Sequence, residues 1–166
     1  GTVVRLKDAD GLRVARGLET VRAQLGEAVR RKRATALEVA AQRALVTGTA
    51  EYTGMRRADL VIEAVFEDVA LKQRVLAEVA AAAPGAVLAT NTSTIPIDRI
   101  ADGVPDPTRV VGMHFFSPVA KMPLLEVVAG DRTAPDAVAT AVAYGKQLGK
   151  TVIVVRDGPG FYVNRI

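Results

Sequence analysis

One imidazole and one carboxylate set in apolar sequence are the residues of this chain best suited to chemistry. The single histidine, His114, lies in Val110-Val111-Gly112-Met113-His114-Phe115-Phe116-Ser117-Pro118. Glu126 follows in Pro123-Leu124-Leu125-Glu126-Val127-Val128. An imidazole exchanges a proton near neutral pH, and a partly buried carboxylate fixes its tautomer and stabilises the imidazolium that forms. Together they make a general base. Taken alone, His114 reads equally well as a core residue satisfied by a backbone carbonyl. A zinc site is set aside, because one histidine and no cysteine cannot supply the usual ligands.

Other polar residues stand where strands are expected to end. Asp8 closes the first apolar run, where an acid can accept from ribose hydroxyls and repel a 2′-phosphate; such an aspartate is also a common turn or cap residue. Glu63 falls inside a strand, so it is expected to be paired or at a sheet margin. Glu67 and Lys72 flank the start of the next helix, and Lys72 either reaches a ligand or pairs with Asp68 four residues earlier. Thr90-Asn91-Thr92-Ser93-Thr94 is a polar cluster that suits a substrate-facing loop as well as an ordinary one. The chain has two serines, Ser93 and Ser117, one in each segment bracketing the expected site.

The elements that must position these groups follow from periodicity. Thr2 to Leu6 reads as a strand. Leu12, Ala15, Leu18, Val21, Leu25, Ala28 and Val29 recur at helical spacing between Asp10 and Arg33. Thr35 with Glu38 forms a capping box for a short helix ending near Ala44. Val46 to Arg57 reads as a loop with at most one short strand. Strands are expected at Asp59 to Val65 and Ala86 to Thr90, with a helix from Asp68 to Ala83 between them, a right-handed βαβ crossover. Further strands are expected at Arg109 to His114, Leu124 to Val128 and Thr151 to Val155, and a helix from Thr133 to Leu148. Asp157-Gly158-Pro159-Gly160 is a turn opening a helix toward Ile166. The alternation predicts an α/β, doubly wound, mainly parallel sheet with ligands outside the carboxyl ends of its strands.

Composition narrows the function. With 166 residues and 49% hydrophobic content the chain can bury a core, and it lacks cysteine, which suits the cytoplasm. No apolar run approaches the ~20 residues of a membrane span. The net charge of +4 is concentrated in Arg30-Arg31-Lys32-Arg33, read first as the solvated end of a helix and alternatively as attraction for a polyanion. Nucleic acid is not expected as a partner, because none of the four Phe and three Tyr interleaves with the basic run.

Four segments in order resemble the NAD-binding domain of 3-hydroxyacyl-CoA dehydrogenases, above all that of the bacterial multifunctional fatty-acid oxidation enzymes. They are Asn91-Thr92-Ser93-Thr94-Ile95-Pro96, Gly112 to Pro118, Met122-Pro123-Leu124-Leu125-Glu126, and Asp157 to Arg165. The resemblance implies a Rossmann-type fold, NAD as cofactor and fatty-acid β-oxidation as the setting. It implies that His114 is the base for the substrate 3-hydroxyl, held by Glu126, with Ser93 near the reacting oxygen and Asn164 on the acyl carbonyl. Asp8, Val65, Phe66, Glu67, Lys72, Ser93 and Ser117 match the positions that contact NAD. Ser117 replaces the asparagine found in many members.

Two departures shape the expectations. The family opens with a strand and a glycine-rich G-x-G-x-x-G turn that cradles the pyrophosphate, and no such run occurs here. It also continues into a helical C-terminal domain that holds acyl-CoA. Residues 1–160 therefore read as a partial NAD-binding domain and 161–166 as the start of a linker helix. The chain by itself is expected to show little turnover. Without the first strand, Thr2 to Leu6 is expected either to move and close the gap or to borrow a strand from a second copy, giving homo-oligomers through sheet edges. A non-catalytic scaffold or oligomerisation piece, and a dehydrogenase restricted to 3-hydroxybutyryl-CoA, are the competing readings.

Overall fold

Side-chain alternation along strands and capping at helix starts account for most of the architecture. The computed structural model describes residues 1–163. These fall into two compact units, Gly1–Met55 and Arg56 onward.

In the first unit, β1 (Val4–Lys7) pairs in parallel with β2 (Val46–Thr49), Val4 opposite Val46 and Lys7 opposite Thr49. Two helices connect them, α1 (Gly11–Arg30) and α2 (Ala36–Ala44). The Asp10 carboxylate caps α1 by accepting from the Arg13 N–H at 2.8 Å. The capping box forms in full at α2: Thr35 Oγ1 accepts from the Glu38 N–H, and the Glu38 carboxylate accepts from the Thr35 N–H. Gly48 lets α1 lie directly on β2, since a Cβ there would sit 2.5 Å from Val14 Cγ1 and 2.9 Å from Leu18 Cδ1. Helix α1 stops at Arg30, short of the expected Arg33, and the chain turns through Lys32 at φ 55°. Arg30 and Arg31 both bond to Glu27, which matches the solvated-helix-end reading of the basic run.

The second unit holds a five-stranded sheet in the order β3 (Leu60–Glu63), β4 (Val87–Thr90), β5 (Val110–Phe115), β6 (Leu124–Ala129) and β7 (Thr151–Arg156). Neighbours are parallel except β5 and β6, which are antiparallel. The helices are α3 (Val69–Ala82), α4 (Ile97–Ala101) and α5 (Pro135–Gln147). Ala89, Val111, Met113, Leu125 and Val127 form one buried face with Ala141 of α5. Alternation sends Gly112, His114, Glu126 and Val128 to the opposite face. A Cβ on Gly112 would meet Val128 Cβ at 2.7 Å and Ile97 Cδ1 at 2.8 Å, so α4 sits tight against that face.

The observed fold is the expected α/β, mainly parallel architecture. Besides the earlier end of α1, three details differ. β1 is bonded to β2 and, among the described residues, to no other strand, so Thr2 to Leu6 pairs with neither edge of the five-stranded sheet. Helix α5 is capped by Ala134, not Thr133; the Thr133 hydroxyl instead donates to the Val110 carbonyl at 2.7 Å and accepts from the Gly130 N–H at 3.0 Å. Helix α4 was not expected, because five residues are too few to show a period.

Candidate active site

The antiparallel register between β5 and β6 sets His114 directly opposite Glu126. Opposed residues on one face have Cβ atoms about 4.5–5.5 Å apart, within reach of an imidazole and a carboxylate. His114 Nδ1 lies 2.7 Å from Glu126 Oε2. The histidine side chain is 6% exposed and the glutamate side chain fully buried. An ionised Glu126 puts the proton on Nδ1, leaving the Nε2 lone pair on the far side of the ring to act as base.

Two aromatic rings bracket the imidazole: Phe116 at 4.5 Å between centroids and Phe161, edge-on, at 5.6 Å. The second glutamate oxygen is also engaged, since Oε1 accepts from the Tyr162 N–H at 3.1 Å and the Val163 N–H at 2.9 Å.

A second charged cluster stands at the carboxyl ends of β3 and β4. Lys72 Nζ is 2.9 Å from Glu63 Oε1, 3.3 Å from Glu67 Oε2 and 3.3 Å from the Val65 carbonyl, and its side chain is 1% exposed. Glu63 also accepts from the Val65 N–H at 2.6 Å and the Thr90 hydroxyl at 2.8 Å. Glu67 Oε1 accepts from the Thr92 hydroxyl at 2.5 Å, the Ser93 N–H at 3.0 Å and the Thr94 N–H at 3.2 Å. Partial burial works to raise the Glu67 carboxyl, but the Thr92 hydroxyl, the Ser93 N–H and the Lys72 ammonium outweigh it and hold it down at about 2.

The expected site residues therefore divide. His114 and Glu126 meet. Ser93 is exposed just past β4 on the loop that Glu67 holds, and Ser117 is exposed two residues past β5. Val65 and Phe66 are exposed past β3. Lys72 does not bond to the Asp68 carboxylate, which caps α3 through the Leu71 N–H at 2.7 Å; its ammonium is spent inside the cluster instead. Asp8, in the first unit, is exposed at the end of β1 and accepts from the Ala9 N–H at 2.6 Å. Asn164 lies outside the described residues.

Three contributors appear in the sequence reading only inside longer segments, without a role of their own. Asn91 Oδ1 accepts from the Phe115 N–H at 2.9 Å, tying the end of β4 to the end of β5 beside His114. Asp157 Oδ2 accepts from the Ile97 N–H at 2.6 Å and the Asp98 N–H at 3.3 Å, fixing the start of α4. Phe161 packs on the imidazole. Only Asn91 and Asp157 carried a signal, as polar residues at strand ends.

The family description "3-hydroxyacyl-CoA dehydrogenase, NAD binding domain" matches residues 1–158. The chain belongs to this family. It is 44% identical over 164 residues to the fatty acid oxidation complex subunit alpha of Shewanella loihica and 45% identical over 163 residues to that of Shewanella frigidimarina, covering 98% of this chain in each case. It spans 23% of the length of those relatives. Among solved structures it resembles 3-hydroxybutyryl-CoA dehydrogenase from Escherichia coli, with a TM-score of 0.94 and 34% identity over 99% of this chain and 35% of that one. The (S)-3-hydroxybutyryl-CoA dehydrogenase of Ralstonia eutropha gives a TM-score of 0.93 and 35% identity over 99% of this chain and 58% of that one.

The chemistry of this NAD-binding domain fits its cofactor. Exposed Val65, Phe66, Ser93 and Ser117 follow the carboxyl ends of three parallel strands, where an open α/β sheet takes its ligands. The exposed Asp8 carboxylate supplies acceptors suited to ribose hydroxyls.

Proposed function

We propose that this domain supplies the general base and part of the NAD site for oxidation of a (3S)-hydroxyacyl-CoA to the 3-oxoacyl-CoA in fatty-acid β-oxidation. The buried 2.7 Å contact between His114 and Glu126 carries the reading. NAD, when bound, supplies the acceptor for the hydride that leaves C3 of the substrate. His114 Nε2 takes the proton of the 3-hydroxyl, so that the C3–O bond becomes a carbonyl as C3–H is broken. Glu126 keeps the opposite ring nitrogen protonated and offsets the positive charge that forms on the ring. Ser93 donates toward the reacting oxygen, on a loop that Glu67 holds in place. Asn164 contacts the acyl carbonyl. Val65, Phe66, Glu67, Ser93 and Ser117 of the second unit contact the dinucleotide, and Asp8 of the first unit is suited to its ribose hydroxyls. Lys72 serves it from behind, by fixing Val65 and Glu67.

The test is His114→Gln in the full-length protein carrying this chain, assayed with acetoacetyl-CoA and NADH. Turnover should fall by ~10²–10⁴, the usual worth of a positioned acid–base group. NADH affinity should stay within a few-fold of the parent. Equal losses of turnover and NADH binding would make the histidine structural and end the proposal.

A further inference from the structure

Glu126 has two oxygens, and the base needs only one of them. Oε2 meets the imidazole, while Oε1 is held by two backbone N–H groups from the segment that follows β7. The glutamate is fully buried, so water does not compete for either oxygen. The terminal torsion of a glutamate is broad and roughly two-fold, so one contact to the ring leaves the carboxylate free to swing. Donors on the second oxygen remove that freedom.

The backbone that delivers those donors is unusual. Phe161 has φ 53°, a left-handed conformation that costs a residue bearing a Cβ and is cheap for glycine. Gly160, at φ 72°, takes the first left-handed position, as expected of glycine, but the second, which directly precedes the two donors, falls on a phenylalanine. Phe161 is 2% exposed and its ring stands edge-on to His114 at 5.6 Å. The Phe161 N–H is itself fixed on the Gly158 carbonyl at 2.9 Å. A buried ring against the imidazole and a strained backbone aimed at its carboxylate act on the same pair from two directions. Strain of this kind persists where surrounding structure over-determines it, and it gathers at functional sites.

We infer that Phe161 is a positioning residue: its left-handed backbone turns the Tyr162 and Val163 N–H groups onto Glu126 Oε1, which locks Oε2 onto His114 Nδ1 and fixes the imidazole tautomer. The inference rests on the reading of His114 as base and adds a third member to the pair. The segment after β7 thereby decides whether the base is assembled.

In the full-length protein carrying this chain, ¹⁵N-histidine NMR reads this imidazole once its signals are assigned by their loss in His114→Gln. The parent chain should hold its proton on Nδ1. Phe161→Ile keeps apolar bulk but resists the left-handed backbone, and in it the majority form should pass to Nε2–H, as for an imidazole in water. Phe161→Gly removes the ring but adopts the same backbone readily, and it should retain the Nδ1–H form. A folded Phe161→Ile chain that keeps the parent tautomer overturns the inference. So does a Phe161→Gly chain as disturbed as Phe161→Ile, because ring packing alone then explains the effect. Amide exchange of Tyr162 and Val163 in the parent gives a test that needs no variant: strong protection supports the two bonds to Glu126, and exchange at the unprotected rate refutes them. A parent chain with mixed tautomers would instead defeat the paired-base reading itself.

Discussion

Two buried charge arrangements stand near the carboxyl ends of the strands in the second unit, and among the described residues they differ in what they leave unfilled. In the Glu63–Lys72–Glu67 cluster the ammonium has three acceptors, and both oxygens of Glu63 have donors. In the His114–Glu126 pair the carboxylate is saturated as well, but the imidazole keeps Nε2 on the side away from it. A buried ionic group with every valence met is scaffold. One that holds a single titratable atom in reserve, oriented by its neighbours, is a site. Charge, burial and strand-end position are shared, so none of them separates the two. The contrast also accounts for Lys72: its place in the chain suits a ligand contact, while its contacts are those of a brace.

The comparison is broken most severely by emptying the brace. Lys72→Ala leaves the buried Glu63 carboxyl without its counter-charge, and it should cost about 3–5 kcal/mol of stability in urea unfolding. Lys72→Met combined with Glu63→Gln should recover most of that loss, because removing both charges removes the desolvation problem. If Lys72→Ala unfolds within about 1 kcal/mol of the parent, the cluster is not the brace described here.

A smaller effect belongs to the exposed end of the same cluster. The Glu67 carboxyl ionises at about 2 in the folded chain against an ordinary 4.5. Its folded value is depressed, so its contribution is present above 4.5 and is lost as pH falls toward 2. Glu67→Gln should therefore be less stable than the parent at neutral pH, by about 1 kcal/mol once solvent screening of this partly exposed side chain is allowed for. The difference should shrink between pH 4.5 and 2. A constant gap across that range in acid-titrated urea unfolding would mean that the carboxylate charge is not what holds Thr92 to Thr94.

How much of this was legible in the sequence depended on the range of each interaction. The Thr35–Glu38 capping box and the β3–α3–β4 unit were readable because their signals lie within a few residues. The start of α5, expected at Thr133 and found at Pro135, is less legible, since a helix-capping hydroxyl and one that bonds to a strand 23 residues away look the same in sequence. The His114–Glu126 pairing was half legible. Residue types and apolar setting pointed to it, while the antiparallel register that brings the two side chains together had no local signal. The donors on Glu126 Oε1 come from backbone 36 and 37 residues further on, and a backbone N–H leaves no mark in residue identity. Phe161 is not legible for a related reason: glycine signals the left-handed position at Gly160, but nothing in residue type signals that it continues onto an aromatic residue.

Asp157 sharpens the rule at its smallest scale. Its Oδ2 is filled by the Ile97 and Asp98 N–H groups, whereas its Oδ1 is buried with no hydrogen-bond partner among the described residues. Here an unfilled atom is a cost, because it belongs to the charged form and nothing offsets its loss of water. Burial accordingly pushes the Asp157 carboxyl up from its ordinary 3.8, against the pull of the Asp98, Ile97 and Gly158 N–H groups and with the help of the neighbouring Asp98 charge. A raised folded value means that the folded chain binds this proton more readily than the unfolded one, so stability falls as pH rises from 3.8 through the folded value. Asp157→Asn keeps an acceptor for the start of α4 and removes the charge. It should lie within about 1 kcal/mol of the parent at neutral pH and lack the part of the acid-range slope that Asp157 contributes. A slope identical to the parent's would show that Asp157 does not titrate there, and that its unpartnered oxygen is satisfied by water.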